Sequence, residues 1–213
     1  VGMTSIINDK VIPQIVGGDI GCGIIAYNLN KVIKEKQYKK IDDFIKENIP
    51  MGENSHIKPI VDEENMENIY KKCNFKLKHL IEKFPNYNYQ DFKFNKEYYE
   101  KLVLKLDVKT SSNNFLRSLG TLGGGNHYIE FNEEVNGNCY VSIHSGSRYL
   151  GQAICNFHQN KITTNPNYDK KLFLNNYLKD DDMVEYLIDM IFAQEFASYN
   201  RLVMLQVILY GLN

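Results

Sequence analysis

Apolar side chains at helical spacing mark the first half of the chain. In residues 31–49 they recur every three or four positions and Pro50 follows, so the pattern predicts an amphipathic helix that ends before the proline. Residues 64–84, "ENMENIYKKCNFKLKHLIEKF", predict a second helix that ends before Pro85. Between the two, residues 51–62 are rich in turn-forming types and predict a loop.

Shorter apolar runs predict strands. From Ser5 to Asn30 we expect a strand, an Asn-Asp turn, a strand at "VIPQIV", a glycine loop and a strand at "GIIAYNL". Further along, "HYIEF" and "CYVSIH" predict two strands that flank a hairpin turn at Asn136-Gly137. The early part of the chain therefore contributes strands as well as helices.

The rest of the pattern completes an α+β fold. Residues 86–101 are polar but aromatic and predict an ordered surface excursion, while residues 169–178 and 181–208 predict two further helices. We find no internal repeat. Residues 1–213 are therefore predicted to form a single domain, with 31–110 as a helical and loop insertion within it.

Composition narrows the class of protein without naming a partner. The chain has 213 residues, of which 43% are hydrophobic and 24% charged, which is typical of a globular domain. Its net charge of −1 neither indicates nor excludes a polyanionic ligand, because a basic cleft can lie within a neutral total. No run approaches the roughly 20 apolar residues that span a bilayer. We therefore predict a cytoplasmic protein with no membrane association.

The cysteines and the first residues add two expectations. Cys22, Cys73, Cys139 and Cys155 lie far apart with no paired spacing, which argues against a zinc finger or a disulfide framework and favours a reducing compartment. Val1 precedes Met3, and an apolar strand follows with no lead-in. This beginning is typical of a chain that starts in mid-domain.

Three glycine-rich stretches carry the residues with chemistry: "VGGDIGCGI", "GTLGGGNHYIEF" and "SIHSGSRYLGQ". Glycine allows sharp turns, which can bring side chains close to one another or to a ligand. The residues expected to converge are Asp19, Cys22, His127 and His144. A thiolate, a carboxylate and imidazoles together favour a manganese-like or zinc-like centre over magnesium.

The second and third stretches also offer groups that bind anions. In "GGGNHY", exposed backbone N–H groups such as that of Gly125 can cradle an anion, and the Asn126 amide adds a donor. In "HSGSR", the hydroxyls of Ser145 and Ser147 can donate, and the Arg148 guanidinium matches a phosphate. Any one glycine cluster is most often only a tight turn, but three in one chain favour a metal and phosphate site.

Other candidate ligands have plainer interpretations. His56, His79 and Cys73 are expected to be solvated or packed, Cys139 and Cys155 to be small buried hydrophobes, and His158 to be structural. Glu130 presents two equal alternatives. It either orients His127 by accepting a hydrogen bond or points outward from its strand.

The glycine-rich stretches resemble the RtcB family of RNA-splicing ligases through "GGDIGCG", "LGTLGGGNHYIE" and "HSGSRYLG", in that order. "AQEFASYNR", residues 193–201, resembles the helix that follows them, whereas residues 31–110 match only as helices and loops of suitable length. The resemblance implies an RtcB-like catalytic core. It also implies an enzyme that uses GTP to join an RNA 3′-phosphate or 2′,3′-cyclic phosphate to a 5′-hydroxyl, in tRNA splicing or RNA repair, with an activating protein as a possible partner.

The resemblance implies roles for four metal ligands. Cys22 would bridge two manganese ions, of which one is also held by Asp19 and His127 and the other by His144. This assignment agrees with the chemistry of the donor types. It makes manganese the expected cofactor.

The same resemblance implies a nucleotide site but assigns no catalytic residue to this chain. Asn126 would contact the phosphates of a guanine nucleotide, and Arg148 an RNA or nucleotide phosphate, beside which Tyr149 adds bulk. The family's guanylylated histidine lies beyond the equivalent of Asn213, so no residue here is assigned as catalytic and the chain looks truncated at both ends. The alternatives are a non-ligating metal- and phosphate-binding paralogue and a metal-dependent phosphoesterase.

Overall fold

The computed structural model describes residues 6–87, 89, 92–106, 113–165 and 168–212. It confirms the α+β fold: helices pack around one long helix, which also covers one face of a small antiparallel sheet. That long helix, α7 (Asp180–Gly211), contacts most of the other elements. Three aspartates in the first turn of α7 stabilise the helix, because their negative charges lie at the positive end of the helix dipole.

The first two long helices follow the predicted pattern. Helix α2 (Glu35–Asn48) starts later than expected, whereas α3 (Glu63–Lys83) matches the prediction closely. Asp62 caps the N-terminus of α3: its Oδ1 accepts a hydrogen bond from the Asn65 N–H at 2.9 Å. Residues 51–62 form the predicted loop.

The predicted surface excursion at 86–101 is wrong over its second part. Helix α4 (Lys96–Lys105) is capped at its N-terminus by Asn95, whose Oδ1 accepts a hydrogen bond from the Tyr98 N–H at 2.9 Å. Tyr99 and Leu102 of this helix are buried in the main core. The aromatic residues therefore serve packing. Residues 88, 90 and 91 lie outside the described residues.

Two helices occur where the sequence predicted a strand or nothing. Of "VIPQIV", Val11 ends a strand and the rest does not continue it, because Pro13 starts the short helix α1 (Pro13–Val16), where its missing N–H costs nothing. Helix α6 (Arg148–Thr163) was not predicted. A single turn, α5 (Asn113–Leu116), precedes the second glycine cluster.

The helix expected at 169–178 is reduced to a 3-10 turn at Phe173–Asn175. The side chain of Asn176 bonds the backbone of Asp169 twice, at 2.6 and 3.0 Å, and the Asp169 carboxylate accepts from the Lys171 N–H at 2.8 Å. These local bonds compete with the backbone bonds of a helix.

Five strands form two antiparallel sheets in the described part of the chain. Strands β1 (Lys10–Val11) and β5 (Leu178–Lys179) make a two-stranded ribbon. Strands β2 (Gly23–Asn28), β3 (Tyr128–Glu133) and β4 (Cys139–Ser145) form a sheet in the order β2-β4-β3. The predicted hairpin turn is confirmed, with Gly137 at φ 84°. Of the strand expected before Asn8, Ser5 lies outside the described residues, and Ile6 and Ile7 are not in a strand.

The two faces of β4 have different roles. Val141 and Ile143 point into a buried cluster with Met204 and Ile208 of α7. His144 alternates to the opposite face, which is partly open to solvent. The sheet is thus fixed to α7 by one face and presents His144 on the other. None of the helices in the described residues is long and apolar enough to span a membrane.

Candidate metal centre

Asp19 and Cys22 lie in a tight loop between α1 and β2. The Cys22 N–H donates to the Asp19 carbonyl at 3.1 Å, which brings the two side chains to the same side of the loop. Gly21 has a φ of +79°, and a Cβ there would lie 2.7 Å from the backbone of Gln194 on α7. Glycine is therefore required at Gly21 for the loop to rest against the helix.

The two histidines reach this loop from the sheet. His144 lies near the end of β4, opposite Ile24 on β2 and Tyr128 on β3. His127 immediately precedes β3, so its ring lies beside that of His144, with 5.6 Å between their centroids. The strand register thus places both imidazoles over the first glycine loop.

The four predicted ligand atoms converge. Cys22 Sγ lies 2.9 Å from His144 Nε2 and 3.6 Å from His127 Nε2. His127 Nε2 lies 2.9 Å from Asp19 Oδ2. The ligand atoms of Asp19, Cys22 and His127 all lie within 4.8 Å of one another, which is a spacing that one ion can span.

The orientation of His127 also fits a metal. Its Nδ1 lies 2.9 Å from the Leu122 carbonyl, so Nδ1–H donates there and the lone pair of Nε2 faces Asp19 and Cys22. The main-chain carbonyl of Leu122 takes the orienting role considered for Glu130, which is exposed on β3. The residues present therefore suit a transition-metal ion, and their ligation of manganese stays a prediction.

The thiol of Cys22 is protonated in the metal-free protein. Partial desolvation of the thiol, with the hydrogen bond and the charge of Asp19, raises the pKa of Cys22 to about 12, and the positive charge of Arg201 opposes that rise. Because a metal binds the thiolate, binding here must release a proton.

We expect metal-free Cys22 to react slowly with iodoacetamide near about pH 8, since only the thiolate is nucleophilic. Its rate should rise about tenfold per pH unit until the pH nears the raised pKa of about 12. Mass spectrometry of the labelled peptide measures this rate at each pH. The control is the chain unfolded in guanidinium, in which a cysteine has an ordinary pKa of about 8.5. Equal rates for Cys22 in the folded and unfolded chains would contradict the expectation.

Two neighbouring residues of α7 tie the glycine clusters together. The buried side chain of Asn200 accepts from the N–H groups of Gly120 and Thr121 at 2.8 and 3.1 Å. Its Nδ2 donates to the Thr121 carbonyl, the Ser145 hydroxyl and the Gly146 carbonyl at 3.0, 3.1 and 3.2 Å. Asn200 therefore joins the second cluster to the third.

Arg201 joins the first cluster to the third. Its Nη1 donates to the carbonyls of Gly21 at 2.9 Å and Ser145 at 2.6 Å. Sequence reasoning gave no role to Asn200 or Arg201. The only signal was their position at the end of "AQEFASYNR", which gave no hint of what they contact.

Comparison with known proteins shows the family of this chain. The tRNA-splicing ligase RtcB family matches residues 1–212. The chain belongs to the RtcB family. It is 34% identical to the RNA-splicing ligase RtcB of Escherichia coli K12 over 122 aligned positions, which span 54% of this chain and 29% of that protein.

Two further relatives extend the coverage. The tRNA-splicing ligase RtcB of Nanoarchaeum equitans is 27% identical over 237 aligned positions, which span 94% of this chain and 46% of that protein. The RNA-splicing ligase RtcB homolog 2 of Entamoeba dispar is 28% identical over 169 positions, 70% of this chain and 31% of that protein. The chain thus spans less than half the length of these curated RtcB relatives.

Arg148 lies beside His127 in this RtcB chain. Its Nε donates to Thr121 Oγ1 at 3.0 Å, and its Nη2 donates to the Gly52 carbonyl at 2.6 Å. A Cβ on Gly123 would collide with the Arg148 guanidinium and lie 2.6 Å from His127 Nδ1. Gly123 therefore lets the arginine and the histidine lie side by side.

The other predicted phosphate-binding residues differ in exposure. Gly125 and Asn126 are exposed in the second glycine cluster, with Gly125 at φ +70°. Ser147 is fully buried at the start of α6, and its hydroxyl has no hydrogen-bond partner within the described part of the chain. The assignment of these residues and of Arg148 to phosphate binding stays a prediction.

The remaining candidate ligands have structural roles or lie at the surface. His158 is buried, with Nε2 2.7 Å from Asp189 Oδ2, as expected for a structural histidine. His56 Nε2 lies 3.2 Å from the Gly120 carbonyl, and burial lowers the pKa of His56. Of the four cysteines, only Cys22 is exposed. It is therefore the thiol available to a metal.

Proposed function

We propose that this chain carries the metal centre of an RNA ligase that acts in the cytoplasm on RNA with 3′-phosphate and 5′-hydroxyl ends and uses GTP. The observation that supports this function is the convergence of Asp19, Cys22, His127 and His144 in a chain of the RtcB family. Two relatives named tRNA- or RNA-splicing ligases share that family. An activating protein partner remains part of the proposal.

The candidate ligands have different roles at this site. Cys22 is central because its Sγ lies near both histidines, so its thiolate can face two ions while Asp19 and His144 each serve one side. When bound, divalent manganese supplies positive charge that stabilises a reacting phosphoryl group and orients its oxygens. The protein's own task is to hold the four donors at fixed positions, which Leu122, Asn200 and Arg201 help to do.

The phosphate groups of RNA and guanine nucleotide are assigned to the rim of the centre. Thr121 anchors the Nε of Arg148 and the Gly52 carbonyl anchors its Nη2, so the guanidinium has a fixed plane from which Nη1 can donate to a phosphate. Asn126 and the backbone of Gly125 are exposed nearby in the chain and can donate to nucleotide phosphates. Ser147 is the weakest of the proposed contacts because it is buried.

Ligation is tested on the native protein expressed from its own gene. We expect joining of an RNA 3′-phosphate to a 5′-hydroxyl only when manganese and GTP are both supplied, with acid-labile transfer of labelled GMP to the protein. Release of phosphate without joining would identify a phosphoesterase instead. Metal binding with neither reaction would identify a metal- and phosphate-binding paralogue.

A further inference from the structure

The second half of α3 concentrates positive charge. Residues 71–83 hold five lysines and one glutamate, whereas the whole chain carries a net charge of −1. The rest of the protein is therefore acidic overall. A surface of this kind attracts a polyanion even though the total charge of the protein does not.

These lysines are available for a ligand. Lys71, Lys72 and Lys78 are exposed, and among the residues that the structure describes no carboxylate lies within ion-pair distance of any of them. Lys76 is the exception, because it pairs with Glu195 of α7 at 2.6 Å. The positive charge of this face is thus largely uncompensated.

An aromatic ring lies among the lysines. Phe75 is 64% exposed, and His79 packs against its ring edge-on with 5.5 Å between the centroids. An open hollow of about 320 Å³ is lined by Lys71, Lys72, Phe75, Lys76 and Glu195. An exposed ring flanked by ammonium groups suits a nucleic-acid base that stacks on the ring while the lysines contact its phosphates.

This face is close to the metal centre. Lys76 is bonded to Glu195 of α7, and the adjoining Gln194 of α7 touches the loop at Gly21 that carries Cys22. Helix α7 therefore borders both the hollow, through Glu195, and that loop, through Gln194, and a helix with its side chains is about 10–12 Å across. A strand whose end lies at the metal centre can reach the hollow within a few nucleotides.

We propose that this face of α3 binds single-stranded RNA next to the end being joined, with one base stacked on Phe75 and backbone phosphates on Lys71 and Lys72. The inference rests on the proposed function, since it assumes that RNA is the substrate. Single-stranded RNA is favoured over duplex because a stacking ring needs an unpaired base. It is favoured over an acidic protein because the ring lies inside the lysine cluster.

The test measures binding rather than ligation. Fluorescence anisotropy of a ~12-nucleotide single-stranded RNA with a 3′-phosphate follows its affinity for the parent chain and for variants at several salt concentrations. We expect Phe75→Ala to weaken binding about tenfold. The double variant Lys71→Gln/Lys72→Gln should lower the salt dependence, the slope of log K against log salt, by about 1.4, because each phosphate contact to a single strand contributes about 0.7.

Matched controls lie elsewhere on the surface. Lys36→Gln/Lys40→Gln removes two exposed lysines of α2, and Tyr210→Ala removes a ring of α7 that is 81% exposed. Both should bind the RNA as the parent does. Bound manganese should be unchanged in every variant, since none of these residues lies at the metal centre.

Three results would overturn the inference. If the parent binds the RNA and the α3 variants bind it equally well, the RNA path lies elsewhere and the ligase proposal still holds. If the parent binds manganese but not the RNA, both proposals fail together. If a poly-glutamate peptide displaces the RNA as effectively as unlabelled RNA does, the face is a site for an acidic protein.

Discussion

Replacing Cys22 with alanine is expected to weaken manganese binding by at least about 100-fold, because removing even a residue that only supports a ligand costs 10–100-fold. The thiol lies 2.9 Å from His144 Nε2 and 3.6 Å from His127 Nε2, so its loss affects both sides of the centre. Asp19 lies on one side of the centre, with its Oδ2 2.9 Å from His127 Nε2. Asp19→Ala should therefore retain more metal than Cys22→Ala. Equilibrium dialysis with metal analysis measures both.

Cys155→Ala is the matched control for this prediction. Cys155 is a free, buried cysteine of α6 and does not belong to the group of side chains at the metal centre. Its loss should leave the bound manganese unchanged. Equal metal content in Cys22→Ala and the parent would show that the thiol does not bridge or bind the ions.

Replacing Asn200 with alanine is expected to lower the free energy of unfolding by about 3 kcal/mol, since each buried polar group left without a partner costs about 1–3 kcal/mol. The change removes the acceptor for the Gly120 and Thr121 N–H groups and the donor for the Ser145 hydroxyl. Urea unfolding measures the stability. Metal affinity should fall as well, because Asn200 joins the cluster that carries His127 to the one that carries His144.

Two further variants sharpen this result. Asn200→Asp keeps the acceptor but places a carboxylate oxygen against the Thr121 and Gly146 carbonyls, so it should destabilise as much as alanine does. Asn156→Ala removes an exposed asparagine of α6 whose side chain accepts a hydrogen bond from Gln152, and it should change stability by less than about 0.5 kcal/mol. Parent-like unfolding of Asn200→Ala would contradict the structural role of its side chain.

The sequence predicted which candidate ligands converge better than it predicted the residues that hold them in place. Asp19, Cys22, His127 and His144 carry metal-binding chemistry in their side chains, and the glycines beside them indicate close approach of the chain. Asn200 and Arg201 carry no such signal, because their role depends on which backbone groups surround them. That information exists only once α7 lies against all three glycine clusters.

The fold shows the same division. Helices α2 and α3 have regular apolar spacing and were predicted, as was the hairpin at Asn136-Gly137. Helix α6 was not predicted because its first turn lies in the third glycine-rich stretch and includes Gly151, a residue of low helix propensity. A Cβ at Gly151 would lie 2.7 Å from the Gly18 carbonyl. Close packing therefore requires glycine at this position, although glycine has a low helix propensity.

The most direct test of the central claim is anomalous scattering at the manganese edge, from crystals of this chain grown with manganese. We predict a peak bounded by Asp19 Oδ2, Cys22 Sγ and His127 Nε2, with a second on the His144 side of the same sulfur. Peaks that lie only elsewhere, or no peak here while the dissolved protein retains manganese, would contradict the assignment of these residues as the metal centre.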